Sequence, residues 1–192
     1  MAMRLGAVVL LAVSAAGMGC STAPPAAALP VFDAETAVAA IRKSAVAARE
    51  LDVQPLRDNR VEDLRQSASA LEKQRKYAES AATLDQALAI TAGDPALLQE
   101  RAEAALLLRK LDDAERYAKQ AYDGGSKVGP LCRRHWSTIA AVRQTRLDLL
   151  KTTPVYKEEF DAVLARISQA GRDVAAARAQ ADACTVGAPP RY

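Results

Sequence analysis

The stretch KYAESAATLDQALA (Lys76–Ala89) returns in layout as KLDDAERYAKQAYD (Lys110–Asp123), 34 residues later. Each copy opens on Lys, follows with an apolar or aromatic residue and then acids, and sets small and apolar residues at matching places. One amphipathic helix written twice at a fixed interval points to two copies of one structural unit. Followed backward in register, the first unit starts at Val61 and the second at Pro95, again 34 residues apart. The helix starts agree. Asn59 followed by Glu62 reads as a capping-box-like start, and Asp94-Pro95 places an N-cap before a proline at the first helical position.

Composition supports helices throughout. The chain has 192 residues, half of them hydrophobic, yet aromatics make up only 4%. Ala and Leu with Glu, Lys, Arg and Gln are strong helix formers, and alternating β-branched runs are nearly absent. An all-α domain with short appendages follows. The formal net charge of +3 is modest. No Lys/Arg-rich run or basic–aromatic interleaving is present, so no nucleic-acid footprint is expected.

A 34-residue period with two helices per unit resembles the tetratricopeptide repeat. That resemblance implies bulky apolar residues at positions 4 and 11 of each unit, small ones at 8, 20 and 27, and an aromatic near 17 or 24. In the first unit these fall on Leu64, Ala68, Leu71, Tyr77, Ser80, Leu84 and Ala87, with Pro95 closing it. In the second they fall on Leu98, Ala102, Ala105, Leu111, Ala114, Ala118 and Ala121. Position 8 is Ala rather than Gly in both, and the second unit lacks the aromatic at 17. Small residues belong where helices approach closely, and bulky ones fill the gaps between them.

The expected architecture is a right-handed stack of helical hairpins, about two and a half repeats, with an N-terminal helix and a long C-terminal capping helix. Repeat 1 covers 61–94, repeat 2 covers 95–128, a partial repeat 3 covers 129–150, and the capping helix covers 154–184. The third unit begins near Pro130, with Cys132 at position 4 and Trp136 at position 8. Thr153-Pro154 is expected to cap the last helix, on which Tyr156, Phe160, Val163, Ile167, Ala170, Val174, Ala177, Ala181 and Cys184 form a continuous apolar seam. Before the repeats, Asp33 can cap a helix running to about Glu50.

The N-terminus reads as a targeting segment, residues 1–19. Arg4 precedes an apolar run from Leu5 to Ala16, too short to span a bilayer of ~30 Å and suited to a secretory signal. Gly17-Met18-Gly19-Cys20 resembles the bacterial lipobox, although Gly17 stands where Leu is usual. The resemblance implies that Cys20 is acylated and becomes the new N-terminus, with Ser21 favouring the outer membrane. Residues 20–32 then form a lipidated Cys and a Pro/Ala linker leading to the 33–192 domain. An ordinary secretory signal is the alternative.

Of three cysteines, Cys132 and Cys184 remain as an even pair once Cys20 takes lipid. Outside the cytosol such a pair is expected to form a disulfide. A straight hairpin turning at 151–154 opposes this, because it leaves the two out of register by roughly 16 Å. No His/Cys cluster has zinc spacing, and no metal or cofactor is expected.

Catalytic signatures are not visible. His135 is the single histidine, and it reads as a packing residue beside Trp136. No Gly-rich phosphate loop, G-x-S-x-G or H-E-x-x-H occurs. Asp112-Asp113 and Glu158-Glu159 read as first-turn charges at helix starts, and Arg133-Arg134 as a solvent-facing pair or an anion spot. The repeat resemblance implies a concave partner groove. On its register the groove residues are Arg65, Ser69, Glu72 and Lys73, then Gln99, Glu103, Leu106 and Leu107, then Arg133 and Ser137. Its middle is apolar through Leu106 and Leu107, and one end is charged. Arg65 and Ser69 do not fit the carboxylate clamp of chaperone-binding members. The expected function is a non-enzymatic adaptor, anchored by lipid in the cell envelope, docking a segment of an envelope protein. The alternative is a periplasmic carrier or sensor of an apolar ligand held within the stack.

Overall fold

The computed structural model describes residues 32–46 and 58–185, all within one compact unit. Among the described residues seven α-helices stand in this order: α1 (Ala34–Val46), α2 (Asn59–Lys73), α3 (Tyr77–Ile90), α4 (Pro95–Leu107), α5 (Leu111–Gly124), α6 (Gly129–Thr152) and α7 (Phe160–Ala183). A single 3₁₀ turn, Lys157–Glu159, precedes α7, and no strand occurs among the described residues.

The helices pair as hairpins α2–α3, α4–α5 and α6–α7, and successive hairpins pack through α3–α4 and α5–α6. The first two hairpins turn in the same way. Arg75 and Arg109 both take left-handed conformations, at φ 60° and 58°. After each, a backbone N–H reaches back five residues, from Lys76 to the Leu71 carbonyl at 3.0 Å and from Lys110 to the Ala105 carbonyl at 2.9 Å. These are helix C-caps of the Schellman kind, which satisfy carbonyls left open at the helix end. The repetition therefore extends beyond the helix faces to the turn backbone.

Packing follows the 34-residue register. Ala68, Ser80, Leu84, Ala87, Leu98, Ala102, Ala105, Ala114, Ala118 and Ala121 are all buried, while Leu64, Leu71, Tyr77 and Leu111 are half-buried. Alanines predominate at these contacts, so the backbones come close. A Cβ on Gly125 would sit 2.7 Å from the Ala121 carbonyl and 3.1 Å from Pro95 Cβ, which keeps that residue a glycine where α5 ends against α4.

The caps differ in detail from expectation. Asp94 caps α4, accepting from Ala96 N–H at 2.8 Å and Leu97 N–H at 3.0 Å. The cap of α2 is Asp58 rather than Asn59: its carboxylate accepts from Arg60 N–H at 2.9 Å, and Asn59 is the first helical residue. Asp33 caps α1 through Thr36 N–H at 3.1 Å. Residues 47–50 of the expected α1 lie outside the described residues.

The α6–α7 hairpin corrects two expectations. Thr153 ends α6 rather than starting α7, its hydroxyl donating to the Leu149 carbonyl at 2.8 Å, and α7 begins only at Phe160. Cys132 therefore lies 20 residues before the end of α6 and Cys184 lies 24 after the start of α7. The offset shrinks to about 6 Å at ~1.5 Å per residue, which a loop of seven residues and the crossing of the helices absorb. The two sulfurs lie at bonding distance, 2.05 Å, with Cα atoms 5.7 Å apart. The seam on α7 is buried only in its second half. Val174, Ala177, Ala181 and Cys184 are core, Val163, Ile167 and Ala170 are half-buried, and Tyr156 and Phe160 are exposed.

The inner face and its polar network as the candidate functional site

The inner face is formed by the first helices of the three hairpins, α2, α4 and α6, and α1 lies across it. Along α1, Ala34, Val38 and Ile41 recur at intervals of four and three, one stripe of a helix. That stripe packs on Leu106, Leu107 and Val142 in a single apolar cluster, with Phe32, Ala37 and Ala141 at its margin. The sequence places Leu106 and Leu107 in an open groove; they are 0% and 8% exposed, and they are core. Two adjacent leucines on a water-facing surface cost solubility unless covered, and α1 supplies the cover.

Gln99 and Glu103, also expected on the groove, are fully buried between α4 and α6. Being i and i+4 on α4, they share a face. The Gln99 amide donates to Glu103 Oε1 and to Thr138 Oγ, both at 2.8 Å. With both amide hydrogens used, its carbonyl oxygen faces His135 Nδ1 at 2.7 Å. Nδ1 therefore carries the proton and donates, leaving Nε2 as an acceptor with no hydrogen-bond partner. Burial, reinforced by the Arg134 guanidinium, depresses the His135 pKa to about 3, so the ring is neutral. His135 is a packing residue, as its neighbourhood in the sequence suggests, but one tied into a network.

Glu103 is the centre of that network. Arg134 binds it with two guanidinium nitrogens, and Arg42 of α1 donates through Nε to Oε2 at 2.7 Å. Burial alone pushes this carboxyl up; Arg134, Arg42 and Gln99 together outweigh burial and hold it below the usual carboxylate value. Arg42 also forks onto Glu72 of α2, at 2.7 and 2.9 Å. A buried carboxylate is tolerable only when paired and hydrogen-bonded in this way. Arg42 thus bridges α1 to α2 and α4 at once.

The other expected groove residues divide. Arg65 pairs with Glu100 of α4 and with Glu62 on its own helix. Ser69 and Lys73 are exposed on α2. Ser137 meets Ser44 of α1, oxygen to oxygen, at 3.0 Å. Arg133 donates to the Ser44 carbonyl at 3.4 Å and to Thr185 Oγ at 3.0 Å. Of the inner face, α1 leaves open a charged cleft of about 300 Å³, lined by Arg42, Glu62, Arg65, Gln66, Ser69, Glu72, Glu100 and Arg134 among others, beside a smaller recess of about 220 Å³ along Glu35, Arg42, Glu72, Lys73 and Tyr77. Outside the face, Asp112 and Asp113 stand in the first turn of α5 as read from sequence, whereas Glu158-Glu159 fall in the 3₁₀ turn before α7. Asp112 receives Arg146, Asp113 receives Arg116, and Glu115 gathers Lys119, Arg143 and Arg146.

Sequence reading missed Arg42 and Glu100, and it took Arg134, with Arg133, as a solvent-facing pair or an anion spot rather than as the partner of buried Glu103. A signal for Arg42 does exist, since it directly follows Ile41 at the edge of the α1 stripe, where a long basic side chain can reach over to an acid. Cys20 lies outside the described residues. Among the described residues, no helix is long and apolar enough to cross a membrane, and no group of three His, Cys, Asp or Glu stands together as metal ligands would. No family model matches the chain, and no curated protein is significantly similar to it.

Proposed function

We propose that this chain is a tetratricopeptide-like, non-enzymatic adaptor held in the cell envelope through an acylated Cys20, and that it docks an envelope-protein segment in the cleft left open by α1. The observation carrying this reading is the make-up of the cleft. Arg42, Arg65 and Arg134 face Glu62, Glu72 and Glu100 over about 300 Å³, with exposed Ser69 on the α2 side. A concavity with both charges fits an extended polar peptide whose own charges exchange with these pairs, giving orientation and specificity more than raw affinity. Its apolar counterpart, the middle of the expected groove, is already occupied by Val38 and Ile41 of α1. A carrier of an apolar ligand within the stack finds less support for the same reason.

A photo-crosslinking residue at Ser69, introduced in the cell, tests the reading. One defined envelope protein should be captured, and Arg65→Glu should reduce capture about tenfold while leaving helicity unchanged. Raised salt should weaken capture in parallel. Capture that ignores both the Arg65 charge and salt would remove the cleft from the mechanism.

A further inference from the structure

The far end of the α6–α7 hairpin carries large apolar side chains that the body does not cover. Tyr156 is 78% exposed, Leu149 55%, Phe160 54% and Leu164 47%. Phe160 and Leu164 are four apart on α7 and so share a face. The hairpin overhangs the stack, because α6 has 24 residues where α4 has 13. The last buried residue of α6 is Leu147, and from there to Ala170 on α7 no residue is fully buried among those whose side chains are described.

The start of α1 lies at the same end of the domain. α1 runs antiparallel to α6: Ser44 meets Ser137, while Ala37, earlier on α1, lines one recess with Gln144, later on α6. The same register carried one turn further sets Phe32 level with Leu149. Only eleven residues separate Phe32 from Cys20, so a chain at ~3.5 Å per residue keeps Phe32 within about 40 Å of a bilayer that holds the acyl chains.

We infer that the α6–α7 tip is a second membrane contact, its Leu149, Tyr156, Phe160 and Leu164 dipping into the lipid interface beside the anchor. This rests on the acylation of Cys20 proposed above. The occupant is a bilayer rather than a protein because four side chains on a projecting tip offer a few hundred Å² at most, against ~800 Å² per partner in a stable protein interface. Tyr at such a tip suits the headgroup level, where one end of the ring is wet and the other apolar. Lys151 and Lys157 are exposed there, but so are Glu159 and Asp161. The stretch 151–161 holds two lysines against three acidic residues, so no net positive charge draws the tip to lipid, and on a neutral bilayer the contact is apolar in character and indifferent to salt.

The test uses the full mature chain purified from membranes and placed on phosphatidylcholine vesicles, with or without bromine-labelled acyl chains. Tyr156→Trp provides the reporter, with wild-type Trp136 emission subtracted. Mass analysis of the N-terminal peptide reads the anchor separately. The expected result is an acylated Cys20 and at least twofold quenching of the new tryptophan by brominated lipid, unchanged between low and high salt. Phe160→Ser with Leu164→Ser should abolish the quenching without shifting the melting temperature. An acylated, vesicle-bound protein whose tryptophan is not quenched overturns the tip contact and leaves the anchor standing. A free Cys20 overturns both. A photo-crosslinker at Phe160 that captures a protein instead of lipid in the cell overturns the choice of occupant.

Discussion

Glu103 shows how a single residue ties local chemistry to the whole face. It is fully buried, and it accepts from Gln99, Arg134 and Arg42, which come from its own helix, α6 and α1. Glu103→Ala leaves Arg134 without the carboxylate it forks onto and takes one of two carboxylate partners from Arg42, which keeps Glu72. Their partial exposure, 41% for Arg42 and 22% for Arg134, lets each turn toward water, so the loss should be about 3 kcal/mol, at the low end for a broken buried pair. Chemical denaturation at constant m-value measures it, and a change under ~1 kcal/mol would show that the pairing is idle. His135 gives a pH signature. Its pKa is about 3 folded against 6.5 as the ordinary value, so the unfolded chain binds a proton that the native one refuses. Stability is complete above pH 6.5 and falls as pH drops below it, by about 2 kcal/mol between pH 7 and pH 5. Glu103 and Glu115, whose pKa values are lowered, lose their contribution only below the ordinary carboxylate range, so this window belongs to the histidine. His135→Gln should flatten the profile there; an unchanged slope would assign it to other groups. The packing of His135 was legible beforehand, but the network was not, because the repeat register set Gln99 and Glu103 in an open groove. The contrary signal lies in α4 itself, where the residues from Leu97 to Leu107 other than Glu100 are all buried. A helix covered on every side loses the amphipathic stripe from which inside and outside are read.

At the scale of elements, the repeated helices were legible because their faces obey one register and Asp94-Pro95 marks the start of α4, while the cap of α2 was read one residue late, at Asn59 instead of Asp58. The destination of α1 was not. Its stripe Ala34–Val38–Ile41 states that one face must be buried, and nothing in the stripe says against what. A capping helix at the end of a stack and a helix across its inner face have the same pattern. The consequence for Leu107 is direct. With 8% exposure under α1, Leu107→Glu should unfold the domain or lower its melting temperature sharply, because it buries an unpaired charge. Leu106→Ala should cost about 2–5 kcal/mol through the cavity it leaves. A Leu107→Glu protein that melts like wild type would mean that α1 does not occupy the face in solution. The Cys132–Cys184 link was legible from compartment logic and opposed by straight-hairpin geometry. The geometry failed because the connection between α6 and α7 runs on to Glu159. Reduction of the pair should lower stability by about 2–4 kcal/mol, read as a shift in denaturation midpoint with and without reductant. Two free thiols in the unfolded, unreduced chain would show that the pair does not form.

For the molecule as a whole, the question is whether the stack behaves as an array or as one body. Helical repeats that touch only their neighbours can open from an end, one hairpin at a time. Here α1 breaks that linearity. Arg42 reaches Glu103 across 61 positions, Arg133 reaches Ser44 across 89, and Ser44 meets Ser137 across 93. The cysteine pair closes a further span of 52 beside these contacts, near the start of α6. Any hairpin that opens must therefore break contacts with α1 or strain that closure, so the described domain should unfold as a single cooperative unit. Ile41→Asp separates the two possibilities. Ile41 is 3% exposed within the α1 stripe, and a carboxylate there should release α1 while leaving the contacts between hairpins intact. Native-state hydrogen exchange on wild type should then give one common opening free energy for α2 through α6. In the variant, amides of α2 and α3 should exchange first and those of α6, still bound to α7 by the cysteine pair, last. Dye binding should rise as Leu106 and Leu107 are uncovered. If exchange in the variant stays uniform, cooperativity comes from the hairpin interfaces themselves, and α1 is a cover rather than a clamp.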